Sequence, residues 1–249
     1  MTERPVAVPH LPAGRVTLAT AAAEAAAALQ SLGVRVVSPT PHRSLPAEIG
    51  EHTDLLLCPF GGGRVFVAPG QEALHKALEE NGISVSLSGP VGGEYPGDVP
   101  LNVAVGKSFA LGNFRFTDAR LLNALSGSGI RLLRVKQGYT KCAVCPVTER
   151  AYVTDDPGVA AALRAVGADV LEIGKGDVYL SEKHYGFFGG AAGMVAPDLL
   201  AVNGSLRRHR DGARIRAFLE KHGVTPAELF DGQLRDVGGI IPLLESSTS

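Results

Sequence analysis

Tryptophan is absent from this chain of 249 residues, cysteine occurs three times and methionine twice. Cys58, Cys142 and Cys145 are too few, and odd in number, for a disulfide framework, so a reducing cytoplasm is expected. Charge of one sign is lacking too. Lys and Arg total 24 against 25 Asp and Glu, which leaves no basic surplus for a phosphate backbone and excludes nucleic acid as an expected partner. Long apolar runs are missing: Ala21 to Leu29 is interrupted by Glu24, and the N terminus, Met-Thr-Glu-Arg-Pro, has no charged-then-apolar pattern. Neither a membrane span nor a signal peptide is expected. Cys142 and Cys145 form a Cys-x-x-Cys, but no second pair or ligand cluster accompanies it, so no metal and no cofactor is expected, and a structural pair is favoured over a metal or redox site.

What the chain has in quantity is glycine, 31 residues, with a hydrophobic fraction of 45% that suits a sizeable core. Much of the glycine falls in a repeat. A short apolar strand leads to a helix, then a glycine, then another strand: Val16 to Thr20, Ala21 to Leu32, Gly33, Val34 to Val37. Val65 to Ala68 leads to a helix over Glu72 to Asn81, then Gly82 and Ile83 to Leu87; Phe114 to Phe116 leads to Ala119 to Leu125, then Gly129 and Ile130 to Val135. Ala151 to Val153 leads to Gly158 to Val166, then Gly167 and Ala168 to Ile173, while Leu199 to Val202 leads to Ala213 to His222, then Gly223 and Val224. Asp118, Asp156 and Asp211 are placed to cap helix starts, Pro157 suits a first turn, and the glycines suit left-handed helix ends. Leu74 and Leu78, or Ala161, Leu163 and Val166, turn one helical face to a sheet.

A further strand precedes most units: Asp54 to Cys58, Leu101 to Val105, and Cys142 to Val147. The unit is strand, strand, helix, strand, which differs from the alternation of a doubly wound sheet. Five such units are most simply closed into a ring whose first strands line a central channel. Gly238 to Leu243 supplies the missing first strand of the unit beginning at Val16. The expectation is a single α/β domain over 1–249, a five-bladed pseudo-fivefold propeller of ββαβ units at about 15–48, 52–90, 95–138, 139–180 and 184–230, closed by a C-terminal strand at 235–244.

That organisation resembles the guanidino-group-modifying enzyme fold, also called the pentein or α/β-propeller fold, of arginine deiminases, dimethylarginine hydrolases and amidinotransferases. More narrowly, Tyr95 to Asn102, Gly138 to Cys142, Tyr185 to Gly193 and Asp236 to Gly239 resemble an uncharacterised bacterial family assigned to that fold, over roughly residues 15 to 244. The resemblance implies a cysteine nucleophile near the C terminus, a histidine acid/base before the fifth blade, and carboxylates for the guanidinium. His184 is placed like that histidine, and Asn102 stands where arginine-processing members hold a carboxylate. The C terminus departs from the pattern: Gly238-Gly239 is followed by Ile240, and no cysteine occurs after Cys145.

Among the residues themselves, Lys141 precedes Cys142, and a neighbouring ammonium favours a nucleophilic thiolate. On a strand only one of the two can face the channel, and a small buried hydrophobe is the competing role for Cys142. His184, among Glu182, Lys183 and Tyr185, suits proton transfer as well as a structural place. Asp236 is a candidate to orient a ligand amine or His184, or to cap a turn. Glu94, Asp98 and Asn102 cluster on a long connection that can carry ligand contacts or be a solvated turn. Gly61-Gly62-Gly63 suits a hairpin, and Phe188 to Gly193 lacks the Lys-Ser/Thr of a nucleotide cradle. Two readings follow: an enzyme for a small polar amino-acid or guanidino-type substrate, with His184 and Cys142 catalytic and Asn102, Asp98, Glu94, Lys141 and Asp236 binding, or a non-catalytic ligand-binding or protein-interaction protein, as in the ribosome anti-association factor of the same fold. A homo-oligomer is compatible with either.

Overall fold

A computed structural model describes residues 2–246. In chain order its elements are β1 (Glu3–Pro5), β2 (Val16–Thr20), α1 (Ala23–Ser31), β3 (Arg35–Val37), α2 (Thr53–Leu56), β4 (Leu57–Gly61), β5 (Arg64–Val67), α3 (Glu72–Glu80) and β6 (Ser84–Leu87). They continue with β7 (Ala104–Val105), β8 (Phe109–Gly112), α4 (Ala119–Gly127), β9 (Arg131–Arg134), β10 (Val144–Thr148), β11 (Ala151–Thr154), α5 (Pro157–Arg164) and β12 (Asp169–Glu172). The last are β13 (Val178–Tyr179), β14 (Ala192–Ala196), β15 (Leu199–Val202), α6 (Gly212–Lys221), β16 (Thr225–Glu228), β17 (Leu234–Arg235) and β18 (Ile241–Ser246). No helix among the described residues is long and apolar enough to cross a membrane.

The strands form separate small sheets; β13 and β17 make a lone parallel pair, and the other five sheets share one pairing rule. In β4-β5-β6, β7-β8-β9, β10-β11-β12 and β14-β15-β16 the first pair is antiparallel and the second parallel. The remaining larger sheet, β1-β18-β2-β3, takes its antiparallel partner for β2 from the end of the chain. A helix fills each parallel crossover, as a connection between parallel strands requires. Leu74 and Leu78 of α3 are fully buried against Val65 and Val67, and Val159 and Leu163 of α5 pack beside Tyr152. Each such leucine removed from water contributes about 2 kcal/mol.

Local chemistry explains the element ends. Asp118 accepts from the backbone N–H of Arg120 and Leu121, and Asp156 from those of Gly158 and Val159. Asp211 does not cap its helix. Its carboxylate is drawn away to the Gly174 N–H and the Arg214 guanidinium. Gly33, Gly82, Gly129, Gly167 and Gly223 end helices at φ between 70° and 83°.

Several expected strands are displaced or cut short: the one over Leu101 to Val105 is reduced to β7 at its end, and the one over Gly238 to Leu243 is β18, which begins three residues later. Phe114 to Phe116 is a turn closed by the Phe116 N–H on the Asn113 carbonyl, because burying Phe114 bends the chain in where strict alternation suggested extension. The second strand of that unit is β8 instead. Residues 53–56 form the short α2, not a strand, and β10 starts at Val144, so Lys141 and Cys142 lie in a turn. Strand alternation therefore does not force their side chains to opposite faces.

Candidate functional site

Polar residues stand just ahead of the leading strands. Asp54 lies three residues before Leu57 of β4, Asn102 two before Ala104 of β7, and Cys142 two before Val144 of β10. They are 1–2% exposed. Asn102 holds the group together: its Nδ2 donates to the Asp54 carbonyl at 3.0 Å and approaches the Cys142 Sγ at 3.1 Å, while its Oδ1 accepts from the N–H of Lys141 (2.6 Å) and Cys142 (3.3 Å). With both ends of its amide used by the protein, Asn102 positions the Cys142 turn and does not line the cavity above it.

That cavity has a volume of about 650 Å³ and opens between the segments carrying Glu48, Tyr95 and His184. Cys142, His52 and Asp236 line it, and His52 Nδ1 is 3.7 Å from Asp236 Oδ1. Asp236 also accepts from the N–H groups of Phe187 (2.8 Å) and Gly238 (3.1 Å). Burial raises its pKa, against the pull of His52, and Asp54 adds to the rise. Neither oxygen of Asp54 finds a hydrogen bond of ordinary geometry among the described residues, nor does Oδ1 of Asp98. Asp98 Oδ2 accepts from the Tyr139 hydroxyl at 2.5 Å, and burial lifts the Asp98 pKa. Tyr139 is raised as well, by burial and then by Asp98, so the shared proton stays on the tyrosine.

The Cys142 thiol is pushed well above its ordinary value, first by burial, then by the charges of Asp54 and Asp236 and by its close approach to the Asp54 carboxylate as a donor, with Lys141 opposing. At neutral pH it is a protonated thiol. Cys58 and Cys145 are raised to about 12 by burial and are core residues.

Of the residues singled out in the sequence, Cys142, Asp236, Asp98, Glu94 and His184 share this cavity. His184 is at the exposed rim, with Nδ1 3.0 Å from Glu48 Oε1. Lys141 is buried behind the floor, where its Nζ donates to the Gly189 carbonyl at 3.1 Å. His52, Asp54 and Tyr139 are new to the site. For His52 and Asp54 the signal is positional: His52-Thr53-Asp54 leads into an apolar run just as Asn102 and Cys142 do.

The α/β fold resembles that of the guanidino-modifying enzymes. An agmatine deiminase from C. jejuni superposes with a TM-score of 0.54 at 9% identity, covering 91% of this chain and 90% of its own. The inosamine-phosphate amidinotransferase of Streptomyces griseus gives 0.53 at 17% identity, covering 90% of this chain and 79% of its own. At these identities the likeness is one of fold. A search of the curated proteins finds no match. At the level of sequence, a single family model spans residues 18–241, and the chain belongs to that family, a family of unknown function (DUF6873).

Proposed function

We propose that the protein is an enzyme for a small guanidino-type cation, with Cys142 as nucleophile. The observation that carries this is the unsatisfied Oδ1 of Asp98 in the lining of a cavity that also holds Asp236 and Cys142, with the two unsatisfied oxygens of Asp54 behind that lining, beside the Cys142 thiol. Buried acceptors without donors are costly, and a ligand with several N–H groups and a positive charge meets that deficit. Bound near Asp54 and Asp236, such a cation also offsets the two carboxylate charges that help to hold the thiol protonated.

The chemistry then balances without another co-reactant than water. The Cys142 thiol gives its proton to Asp54 as sulfur bonds to the guanidino carbon. The leaving nitrogen takes that proton as its bond to carbon breaks, which leaves a thiouronium on Cys142. Water adds to the same carbon and gives a proton to Asp54, the C–S bond breaks as sulfur takes that proton, and the protonated urea departs after passing its extra proton to the released amine. His52, held by Asp236, is the histidine nearest in kind to a proton shuttle at the floor, and His184 serves the rim.

For the architecture, we read the repeated sheets as five blades about a pseudo-fivefold axis, closed by β18. Supporting this, the pairing rule recurs in every unit, and leading strands β4 and β7, β10 and β14, and β14 and β18 lie against one another. Three free, buried cysteines suit a reducing cytoplasm. The second reading, a non-catalytic binding protein, is favoured by the raised Cys142 thiol.

One experiment separates them. A panel of guanidino compounds is assayed for thermal stabilisation, ammonia or amine release, and a Cys142 adduct by intact mass, with Cys142→Ser as control. Stabilisation in both proteins with turnover only in the wild type is expected. Turnover surviving Cys142→Ser rejects the nucleophile; binding without turnover decides for the non-catalytic reading; no stabilisation by any cation rejects the site.

A further inference from the structure

Tyr95 and Tyr185 are two of the five large hydrophobic side chains that stand exposed among the described residues, each 50% exposed, and both line this one cavity. Tyr95 begins a continuous aromatic wall. Its ring centroid is 5.7 Å from that of Tyr139, and Tyr139 is 6.0 Å from Phe187. The wall is built into the backbone: Gly138 passes under the Tyr95 ring, and a Cβ there would collide with it. Its middle member is fixed by the Asp98 hydrogen bond, so the wall runs from the solvent rim to a carboxylate.

The opening is much larger than a guanidinium group requires. A cavity of about 650 Å³ lies within the range of roughly 300–1,000 Å³ that encloses drug-sized ligands. Basic side chains that could hold a ligand carboxylate are few. His52 faces Asp236, His184 faces Glu48, and the remaining one, Lys183, shares the rim with Glu94. A free α-amino acid would gain little net attraction for its carboxylate there, whereas a flat apolar body would cover the exposed rings.

Resting on the cation reading above, we infer that the ligand is an aryl or arylalkyl guanidine or amidine whose ring lies along Tyr95, Tyr139 and Phe187. Stacking of that kind contributes roughly 3- to 10-fold in affinity for each aromatic partner. Isothermal titration with phenylguanidine, agmatine, arginine and guanidinium ion tests it on the wild type, Tyr95→Ala and Tyr95→Phe. Phenylguanidine is expected to bind the wild type about 10-fold or more tightly than agmatine or arginine. Tyr95→Ala is expected to lose roughly 3- to 10-fold for phenylguanidine alone, and Tyr95→Phe to keep its affinity. Arginine or agmatine binding as tightly as phenylguanidine overturns the inference and leaves the cation site standing. So does a Tyr95→Ala loss that is absent, or equal for all ligands. If none of the four binds, the cation site itself is rejected.

Discussion

Asp155 follows β11 and is 3% exposed, with one long hydrogen bond from the Phe188 N–H at 3.4 Å and no partner for Oδ1 among the described residues. Burial lifts its pKa to about 7 from the ordinary 3.8. Between those values the folded protein keeps a proton that the unfolded chain has released, so stability falls as pH rises from about 4 to about 7. His10 acts on the acid side. Burial and the charge of Lys141 depress its pKa, which lowers stability as pH falls below its unfolded value. Comparing Asp155→Asn with the wild type at each pH isolates the first effect. The amide keeps an acceptor for Phe188 and sheds the buried charge, so the variant is expected to melt at least about 5 °C higher at pH 8 and within a degree or two at pH 4. Equal melting temperatures at pH 8 would count against a buried, proton-hungry Asp155.

At the scale of elements, the site depends on how closely one short turn approaches Asp236. The 3-10 turn Phe188–Gly190 puts Gly190 where a Cβ would overlap the Asp236 carboxylate, and Gly190 N and O meet Phe187 and Val237 and Gly239. Gly190→Ala is expected to displace Asp236 from His52, cost about 1–3 kcal/mol in denaturant melts, and weaken cation binding more than stability. Asp118→Ala is the contrast. It removes a helix cap and the acceptor of Gly89 N–H, neither of which lines the cavity, so about 1–2 kcal/mol is lost with ligand affinity unchanged. Helices and their glycine ends were legible because capping and the 3.6-residue period are local. The strands ahead of them were legible in order but not in register: Phe114-Arg115-Phe116 alternates like a strand, yet only tertiary burial of Phe114 decides that it turns. The site was half legible for the same reason. Cys142, Asp98 and Asp236 stand out by type and neighbours, whereas the meeting of Asp54 with Asn102 and Cys142 joins segments 40 to 48 residues apart.

For the whole molecule, the C-terminal strand decides how the first sheet is made. β18 runs antiparallel between β1 and β2, burying every residue from Ile241 to Ser246, and Glu245 within it accepts from the N–H groups of Ala13 and Gly14 and from Arg4. Without it β2 would retain only its parallel partner β3, and the apolar face of Leu18 that meets Ile241, Leu243 and Leu244 would lie open. An unpaired strand edge beside exposed leucines is unstable and prone to association. A chain ending at Ile240 is therefore expected to lose cooperative urea unfolding, and a synthetic peptide spanning 241–246 is expected to restore it by adding the missing strand. The same loss is expected to abolish cation binding, because Asp236, Gly238 and the backbone N–H of Asp54 are hydrogen-bonded together just ahead of β18. A truncated chain that still unfolds cooperatively within a few degrees of the full one would show that the sheets stand independently, each held by its own helix, and that joining the termini through β18 contributes little.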